Sequence, residues 1–337
     1  MKILAIETSC DETACAVVED GRRVLSSAIF SQIPDHRLYG GVVPEIASRA
    51  HCEQIVAVTA RALEDANLIL PELDAVAVTY APGLVGALLV GVSFAKGLCI
   101  SLGKPLIPVH HIRGHIAACY LAHPGLEPPF LCLVVSGGHS HILEVRGYTD
   151  FVVVGKTRDD AAGEAFDKAA RVLGLPYPGG VEMDKLAATG TPGKYRLPNP
   201  RVEGHPFDLS FSGLKTAVVN LAHNAAQKGE ELDKPALAAD FSARVADMLS
   251  SRLFAAAQQL GYKSIACAGG VSANSQLRAR LESDAAAAGA ELYLPPLHLC
   301  VDNAAMIAAQ AFYEYRAGNI ADYSLNAVAS LAVYGVG

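Results

Sequence analysis

One plan occurs twice in this chain of 337 residues, and it restricts the fold more than any other feature. Ile3 to Glu7 reads as a strand, Thr8 to Glu12 as a polar turn and Thr13 to Glu19 as a second strand; an Asp20-Gly21 turn then leads into a third strand over Val24 to Ile29. The order repeats over Phe130 to Val135, the turn Ser136-Gly137-Gly138-His139, Ser140 to Val145, Gly147 and Phe151 to Val154. Between the copies the pattern predicts a helix over Val42 to Asn67, a strand over Ala75 to Thr79, a helix from Leu84 to Leu102 stopped by Gly103 and Pro105, and a strand over Leu106 to Val109 leading into a histidine-bearing helix. After the second copy come helices at Asp160 to Leu173, Val181 to Thr189, Leu214 to Lys228 and Pro235 to Leu260, a strand at Ser264 to Ala268, and a helix over Ala273 to Gly289 opened by Gly269-Gly270.

Two β-β-β-α lobes are the plan of the α/β actin, hexokinase and heat-shock ATPase superfold, in which a nucleotide lies in the interlobe cleft. The expected division is an N-terminal lobe of residues 1–107 plus 303–337, completed by a last helix over Asp302 to Ala317, and a C-terminal lobe of residues 108–302 carrying the metal and nucleotide sites. Fold alone names no reaction.

Composition removes several classes. With 51% hydrophobic and 18% charged residues the chain is neither disordered nor collagenous nor a coiled coil. The longest uncharged run, Ala75 to Ala95, has the length of a membrane span, but Pro82, Gly83, Gly86 and Gly91 break it into a strand, a turn and a buried helix. Glu7, Asp11 and Glu12 leave no room for a signal peptide, so a cytoplasmic location with no membrane partner is expected. The eight cysteines contain no C-x-x-C and read as reduced and mostly buried. The net charge of −7 argues against wholesale coating of nucleic acid. Yet Lys185 to Arg201 holds four basic and no acidic side chains, and residues 156–215 hold nine basic against eight acidic, so the negative excess lies elsewhere. That stretch, with the irregular Gly190 to Ser212 segment, is the local candidate for a phosphate-rich partner.

His111 and His115 in HHIRGH are four residues apart, so on a helix their imidazoles share a face and can bind one cation, while His110 points elsewhere. Ile112, Arg113 and Gly114 fill the interval where a zinc peptidase needs its glutamate, so peptidase chemistry is disfavoured. Asp302 is either a third ligand or a helix N-cap. Ser136-Gly137-Gly138 and Ala268-Gly269-Gly270-Val271 are turns whose backbone N–H groups can approach an anion, and Asn274 could hydrogen-bond a nucleoside. Asp11 and Glu12 in the first turn, and Asp167 and Asp184 flanking Pro178-Gly179-Gly180, are candidates for a general base or a ribose-hydroxyl acceptor.

In order and spacing, ETSCDETACAVV, PGLVGALLVG, VHHIRGHIAA, VVSGGHSH, DDAAGEAFDKAARVLGLPYPGG, LSFSGLKT, GGVSANSQLR and VDNAAMIA resemble the TsaD family over nearly the full length. That family was formerly described as an O-sialoglycoprotein endopeptidase and is the transferase subunit for tRNA threonylcarbamoyladenosine. The resemblance implies transfer of threonylcarbamoyl from threonylcarbamoyl-AMP to the exocyclic amine of the adenosine beside the anticodon, with release of AMP. It implies one divalent metal per subunit, iron(II) ahead of zinc, on His111, His115 and Asp302, and a substrate cradle of Val134, Val135, Ser136, Gly137, Gly138, Asp167, Gly180, Asp184 and Asn274. Asp11, ahead of Glu12, is the expected catalytic base. Partners implied are tRNA, an inactive TsaB-like paralogue, a small TsaE-like ATPase and an upstream adenylate synthase.

Two departures stand out: Arg113 where an acidic residue is expected, and Ala81 where glycine is expected. An activated acyl donor needs no enzyme nucleophile, which agrees with the lack of a convincing Ser-His-Asp or Cys-His signature. The competing readings are a carbamoyl transferase acting on a small molecule or in hydrogenase maturation, which generally carries extra domains, a silent scaffold paralogue, which would not need the HHIRGH and Asp302 set, and a sugar or acetate kinase.

Overall fold

The computed structural model describes residues 1–333. In chain order, β1 (Lys2–Glu7), β2 (Glu12–Glu19) and β3 (Arg23–Ser31) precede α1 (Ile33–Arg37), α2 (Pro44–Ala66), β4 (Ala75–Ala81), α3 (Val85–Leu102), β5 (Leu106–His110) and α4 (His111–Ala122). The second set runs β6 (Phe130–Val135), β7 (Ser140–Val145), β8 (Phe151–Lys156), α5 (Ala162–Leu173), α6 (Gly179–Ala187), α7 (Ser212–Lys228), α8 (Lys234–Leu260), β9 (Ser264–Ala268), α9 (Ser275–Ala288) and β10 (Glu291–Tyr293). Two further helices follow, α10 (Leu297–Cys300) and α11 (Ala304–Arg316).

The strand orders are β3-β2-β1-β4-β5 and β10-β9-β6-β7-β8. Read from its other edge, the second sheet matches the first position for position, so the repeat seen in the sequence is a duplication of topology. In the first sheet β1 pairs antiparallel with β2 and parallel with β4, and β4 pairs parallel with β5. In the second, β6 and β10 each pair parallel with β9.

Alternation along β1 explains why its residues are buried on both faces. Ile3 and Ala5 join Ala14, Ala16, Ala75 and Ala77 in a cluster with Ala304, Ala305, Ala308 and Ala311 of α11. Leu4 and Ile6 join Cys15, Val17, Val76 and Val78 in a second cluster with Ile55, Val58 and Ala62 of α2 and Val92 and Ala95 of α3. Strands covered on both faces read as continuous apolar runs, and the alanines on the α11 side let that helix approach closely. Among the described residues α3 alone is long and apolar enough to cross a membrane, yet Ala87, Leu88, Gly91, Val92, Ala95 and Cys99 are buried. All eight cysteines are free thiols; Cys52 is exposed, Cys10 half-buried and the rest buried.

Two compact units emerge: Met1–Pro128 with Val145–Val152 and the described residues from Pro295 on, and Pro129–Glu144 with Val153–Leu294. This differs from the expected boundary at residue 107, because α4 belongs to the first unit. The reason is packing: Ala118 shares the α11 cluster, and a Cβ at Gly114 would come within 2.6 Å of the Ile307 side chain. The segment from Pro295 to Asp302 belongs there too, so the whole histidine and aspartate set lies in one unit.

Other differences are local. Helix α2 starts at Pro44, after an extended Val43, and α3 ends at Gly103 as expected, with φ +62°. Gly269-Gly270 leads into a 3-10 turn over Gly270–Ala273, and α9 begins only after Asn274. The irregular segment after Gly190 is fastened by acids: Asp240 accepts from the backbone N–H of Gly193 (2.5 Å) and Tyr195 (2.6 Å), and Asp159 from that of Phe211 (2.7 Å).

The β2–β3 turn has positive φ at Asp20 (51°) and Gly21 (69°), the primed geometry that suits a twisted hairpin. A Cβ at Gly21 would also meet Phe312 at 2.9 Å. Gly21→Ala is expected to lower the unfolding free energy by about 1–3 kcal/mol, read from urea unfolding curves of the two proteins.

Candidate functional site

Strand β5 ends at His110, and α4 starts at the next residue. His110 caps the helix, its Nδ1 accepting from the Ile112 N–H at 3.2 Å, and its Nε2 lies 3.2 Å from the Leu331 carbonyl, so it is turned away as expected. His111 and His115 share one face, 6% and 0% exposed, with ring centroids 4.6 Å apart and planes at 78°. The Nε2 atoms of His111 and His115 lie 3.5 and 3.2 Å from the same oxygen, Oδ1 of Asp302. The cap of α11 is Asn303, whose side chain accepts from the Met306 N–H at 2.9 Å, so capping does not fall to Asp302.

One donor atom from each of the three residues falls within 4.8 Å of the others. Neither ring nitrogen of His115 has a hydrogen-bond partner although both are buried. Such an unpaired polar group is costly in a protein interior, and a cation would satisfy Nε2. Two imidazoles and a carboxylate suit a divalent transition metal and leave coordination positions open. Burial alone would lower the His111 pKa, but the carboxylates of Asp302 and Glu7 outweigh it and raise it to about 9.

Glu7, the last residue of β1, was not singled out from the sequence. It is fully buried, with Oε1 accepting from the Ser9 N–H at 2.5 Å and Oε2 from the Thr79 hydroxyl at 2.6 Å; Oε2 is also 3.0 Å from Nδ1 of His111. An acid closing an otherwise apolar strand was the available signal.

The first turn is tied down from behind. His51 Nε2 meets the Cys10 carbonyl at 2.9 Å and its Nδ1 meets the Thr13 hydroxyl at 2.7 Å. Asp11 is 9% exposed, and its carbonyl accepts from the Gln32 N–H at 3.0 Å. Glu12 accepts from the Ser31 hydroxyl at 2.8 Å through Oε1, while its Oε2 is buried with no partner. Burial, aided by the charges of Asp11 and Asp302 and opposed by Ser31, pushes Glu12 up to about 8.

Both departures are accommodated. Arg113 pairs with buried Glu314 at 2.9 Å, donates to the Val333 carbonyl, and lies 5.1 Å from the centre of the Phe151 ring. Ala81 is fully buried at the end of β4. The crowded glycine of that turn is Gly83, where a Cβ would meet the Ser9 carbonyl at 2.6 Å.

The second unit carries the glycine turns. Val134 and Val135 are fully buried and Ser136 nearly so, whereas Gly137 and Gly138 are exposed with open space where a Cβ would stand. The Ser136 N–H closes the turn onto the His139 carbonyl at 2.8 Å, and the carbonyls of Ser136 and Gly137 accept from Gly163 and Glu164 at the start of α5, both at 3.2 Å. A Cβ at Gly163 would lie 2.7 Å from the Ser136 carbonyl, and one at Gly269 would lie 2.4 Å from the Val135 carbonyl. These two glycines let the backbones around Ser136 approach; Gly163 sat unremarked inside the DDAAGEAFDK block.

Asp184 and Asn274 come together, Nδ2 to Oδ1 at 2.9 Å, while Asn274 caps α9 through the Leu277 N–H at 3.0 Å. Asp184 also accepts from the Ser275 hydroxyl at 2.7 Å, and Asp167 accepts from the Gly179 N–H at 2.7 Å. Gly179 is the crowded member of that pair, with Asp167 Cα 2.7 Å from a Cβ position; Gly180 has only the Phe166 Cβ, at 4.0 Å. In the basic stretch Lys185 pairs with Glu182 at 3.0 Å and Lys194 with Asp233 at 2.8 Å, leaving Arg196 and Arg201 as its exposed cations without an ion-pair partner among the described residues.

Residues 23–309 match the family model TsaD, described as tRNA N6-adenosine threonylcarbamoyltransferase. The chain belongs to the TsaD family. A protein of that description from Moorella thermoacetica is 55% identical over 98% of this chain and 96% of its own length, and one from Clostridium beijerinckii is 50% identical over 98% and 97%. As a TsaD protein the chain is a transferase acting on tRNA adenosine. Solved structures share its actin-, hexokinase- and ATPase-like fold: HypF from T. kodakarensis (TM-score 0.63, 14% identity, covering 96% of this chain and 49% of that one) and the Acidaminococcus fermentans (R)-2-hydroxyglutaryl-CoA dehydratase component A (TM-score 0.55, 17%, 94% and 99%).

Because the folded-state pKa of Glu12, about 8, lies above its ordinary 4.5, the folded chain holds that proton where the unfolded chain has released it. The preference is worth most below pH 4.5 and is lost as pH rises through 8. In chelator-treated protein Glu12→Gln, which never ionises, is expected to raise Tm relative to the parent at pH 9 and to change it less at pH 5. Melting curves at the two pH values check this.

Proposed function

We propose that the chain takes the threonylcarbamoyl group from threonylcarbamoyl-AMP and places it on the exocyclic amine of the adenosine beside the anticodon of tRNA, releasing AMP, in the cytoplasm. The observation that supports this most directly is the buried pair of Nε2 atoms converging on Asp302 Oδ1, beside an acidic turn. His111, His115 and Asp302 would hold one divalent cation, iron(II) ahead of zinc. When bound, such a cation supplies Lewis-acid polarisation of a carbonyl or phosphate oxygen.

The chain's own contribution is positioning and proton transfer. In the reaction the adenine N6 forms a bond to the carbamoyl carbon, the bond from that carbon to the AMP phosphate oxygen breaks, and one amine proton leaves. Glu12 keeps its own proton at neutral pH, so Asp11 is the acceptor we assign. Gly137 and Gly138 would present backbone N–H groups to the phosphate, in a turn whose other atoms are braced by Gly163 and Gly269. Asp167, Gly180, Asp184 and Asn274 would line the nucleoside, with Asp184 and Asn274 already orienting each other. Arg196 and Arg201 are the cations we assign to tRNA phosphate. A TsaB-like paralogue, a TsaE-like ATPase and an adenylate synthase complete the expected assembly. A silent scaffold would have no use for the buried histidine pair.

The test is incubation with synthetic threonylcarbamoyl-AMP and unmodified tRNA, with and without the paralogue, followed by nucleoside analysis. Modified adenosine and free AMP are expected in equal amounts, and no modified adenosine under either condition overturns the reading. Asp11→Ala is expected to abolish transfer and retain metal, whereas replacing His111 and His115 together loses both; metal content and product yield are measured on the same samples.

A further inference from the structure

Of the two histidines facing Asp302, only His111 has its second ring nitrogen engaged by the chain. Nδ1 of His115 is buried without a partner, whereas Nδ1 of His111 lies 3.0 Å from Oε2 of Glu7 and 3.2 Å from the Ser9 hydroxyl. An ionised carboxylate has lone pairs and no hydrogen to give, so the nitrogen facing it must carry the proton. With the proton on Nδ1, the lone pair of the neutral imidazole is on Nε2, the nitrogen that faces Asp302 and His115. The opposite tautomer would set two lone pairs against each other at the Glu7 contact and aim an N–H at Asp302.

We propose that Glu7 is a positioning residue for the cation site: its carboxylate holds the His111 proton on Nδ1 and the ring in the plane that presents Nε2 beside Asp302 and His115. This rests on the reading that His111, His115 and Asp302 hold a cation, and extends it to a residue behind them. The setting supports more than a packing role. A carboxylate with no exposed surface is costly to bury, and nothing in a strand end requires one. Its Oε1 accepts from the Ser9 N–H just past the end of β1, and this backbone contact fixes how the carboxylate lies. A carboxylate that orients a ligating imidazole typically governs metal affinity by 10–100-fold.

Glu7→Gln tests this. Whichever way the amide lies, its NH2 must face either the Ser9 N–H or the Thr79 and His111 side; in the second case it calls for an unprotonated Nδ1 and so moves the proton to Nε2. Zinc affinity is measured by competition with a chromophoric chelator on the full chain, with folding checked by circular dichroism. Glu7→Gln is expected to bind zinc about 10–100-fold more weakly than the parent. Thr79→Val, which removes a neighbouring hydrogen bond and leaves the His111 contact in place, is expected to keep affinity near the parent's. Parental affinity in Glu7→Gln, or an equal loss in Thr79→Val, overturns the proposal.

A second measurement reads the parent itself and needs no Glu7 variant. In the zinc-loaded parent labelled with 15N-histidine, the His111 ring, assigned by the loss of its signal in His111→Asn, is expected to show a protonated Nδ1 and a metal-bound Nε2. Zinc on Nδ1 sinks the idea. If the parent takes up no zinc, cobalt or iron, the cation reading itself has failed and this inference goes with it, an outcome distinct from tight binding through the wrong nitrogen.

Discussion

Strands β1, β2 and β4 are sealed on both faces, and this constraint places the polar groups at their ends. The alternating residues of β1, β2 and β4 are divided between a cluster against α11 and a cluster against α2 and α3. No polar side chain can sit mid-strand without losing its water, so the chemistry is pushed to the ends. The parallel strands β1, β4 and β5 run in one direction, and their carboxyl ends gather Glu7, Thr79 and the His110 to His111 junction. Ligand sites in α/β sheets form at such ends for this reason.

What gathers there is an electrostatic balance and not a set of independent ligands. Glu7 is driven toward its proton by burial, but the adjacent His111 holds its carboxyl below the ordinary range. His111 is driven up by Asp302 and Glu7. Glu7 and Asp302 face the two ring nitrogens of His111, 3.0 Å from Nδ1 and 3.5 Å from Nε2, and a cation held there would offset their charge. Glu12, buried with one hydrogen bond from Ser31, moves the other way, and burial pushes its carboxyl up to about 8.

The second unit solves a different problem, bringing backbone close to backbone. Gly163 and Gly269 have main-chain atoms of Val135 to Gly137 where a side chain would begin, and Gly179 has Asp167 there. The acids and amides expected to touch substrate also hold the chain: Asp167 anchors the start of α6, and Asp184 and Asn274 join α6 to the start of α9. Groups fixed this way lose little freedom when a ligand arrives.

Much of this was legible from residues alone. Apolar alternation, the Asp20-Gly21 turn, Gly103 as a helix stop and the four-residue spacing of His111 and His115 are local signals, and short-range geometry makes each of them decisive. The doubled hairpin plan carried the topology because two strand sets of the same order have few ways to form sheets. The very short elements α1, β10 and α10 were not legible, since a handful of residues shows no period. Nor was the position of α4 within the first unit, which depends on Gly114 and Ala118 fitting against α11 from almost 200 residues away. The partner of Arg113 is equally distant, at Glu314. By itself, then, the sequence determined the element types, the duplicated plan and which residues could ligate a cation. Only the tertiary structure decided that Asn303 and not Asp302 caps the last helix, that burial pushes the Glu12 carboxyl up, and that Glu7 stands behind His111, because each depends on what long-range packing places within about 3 Å.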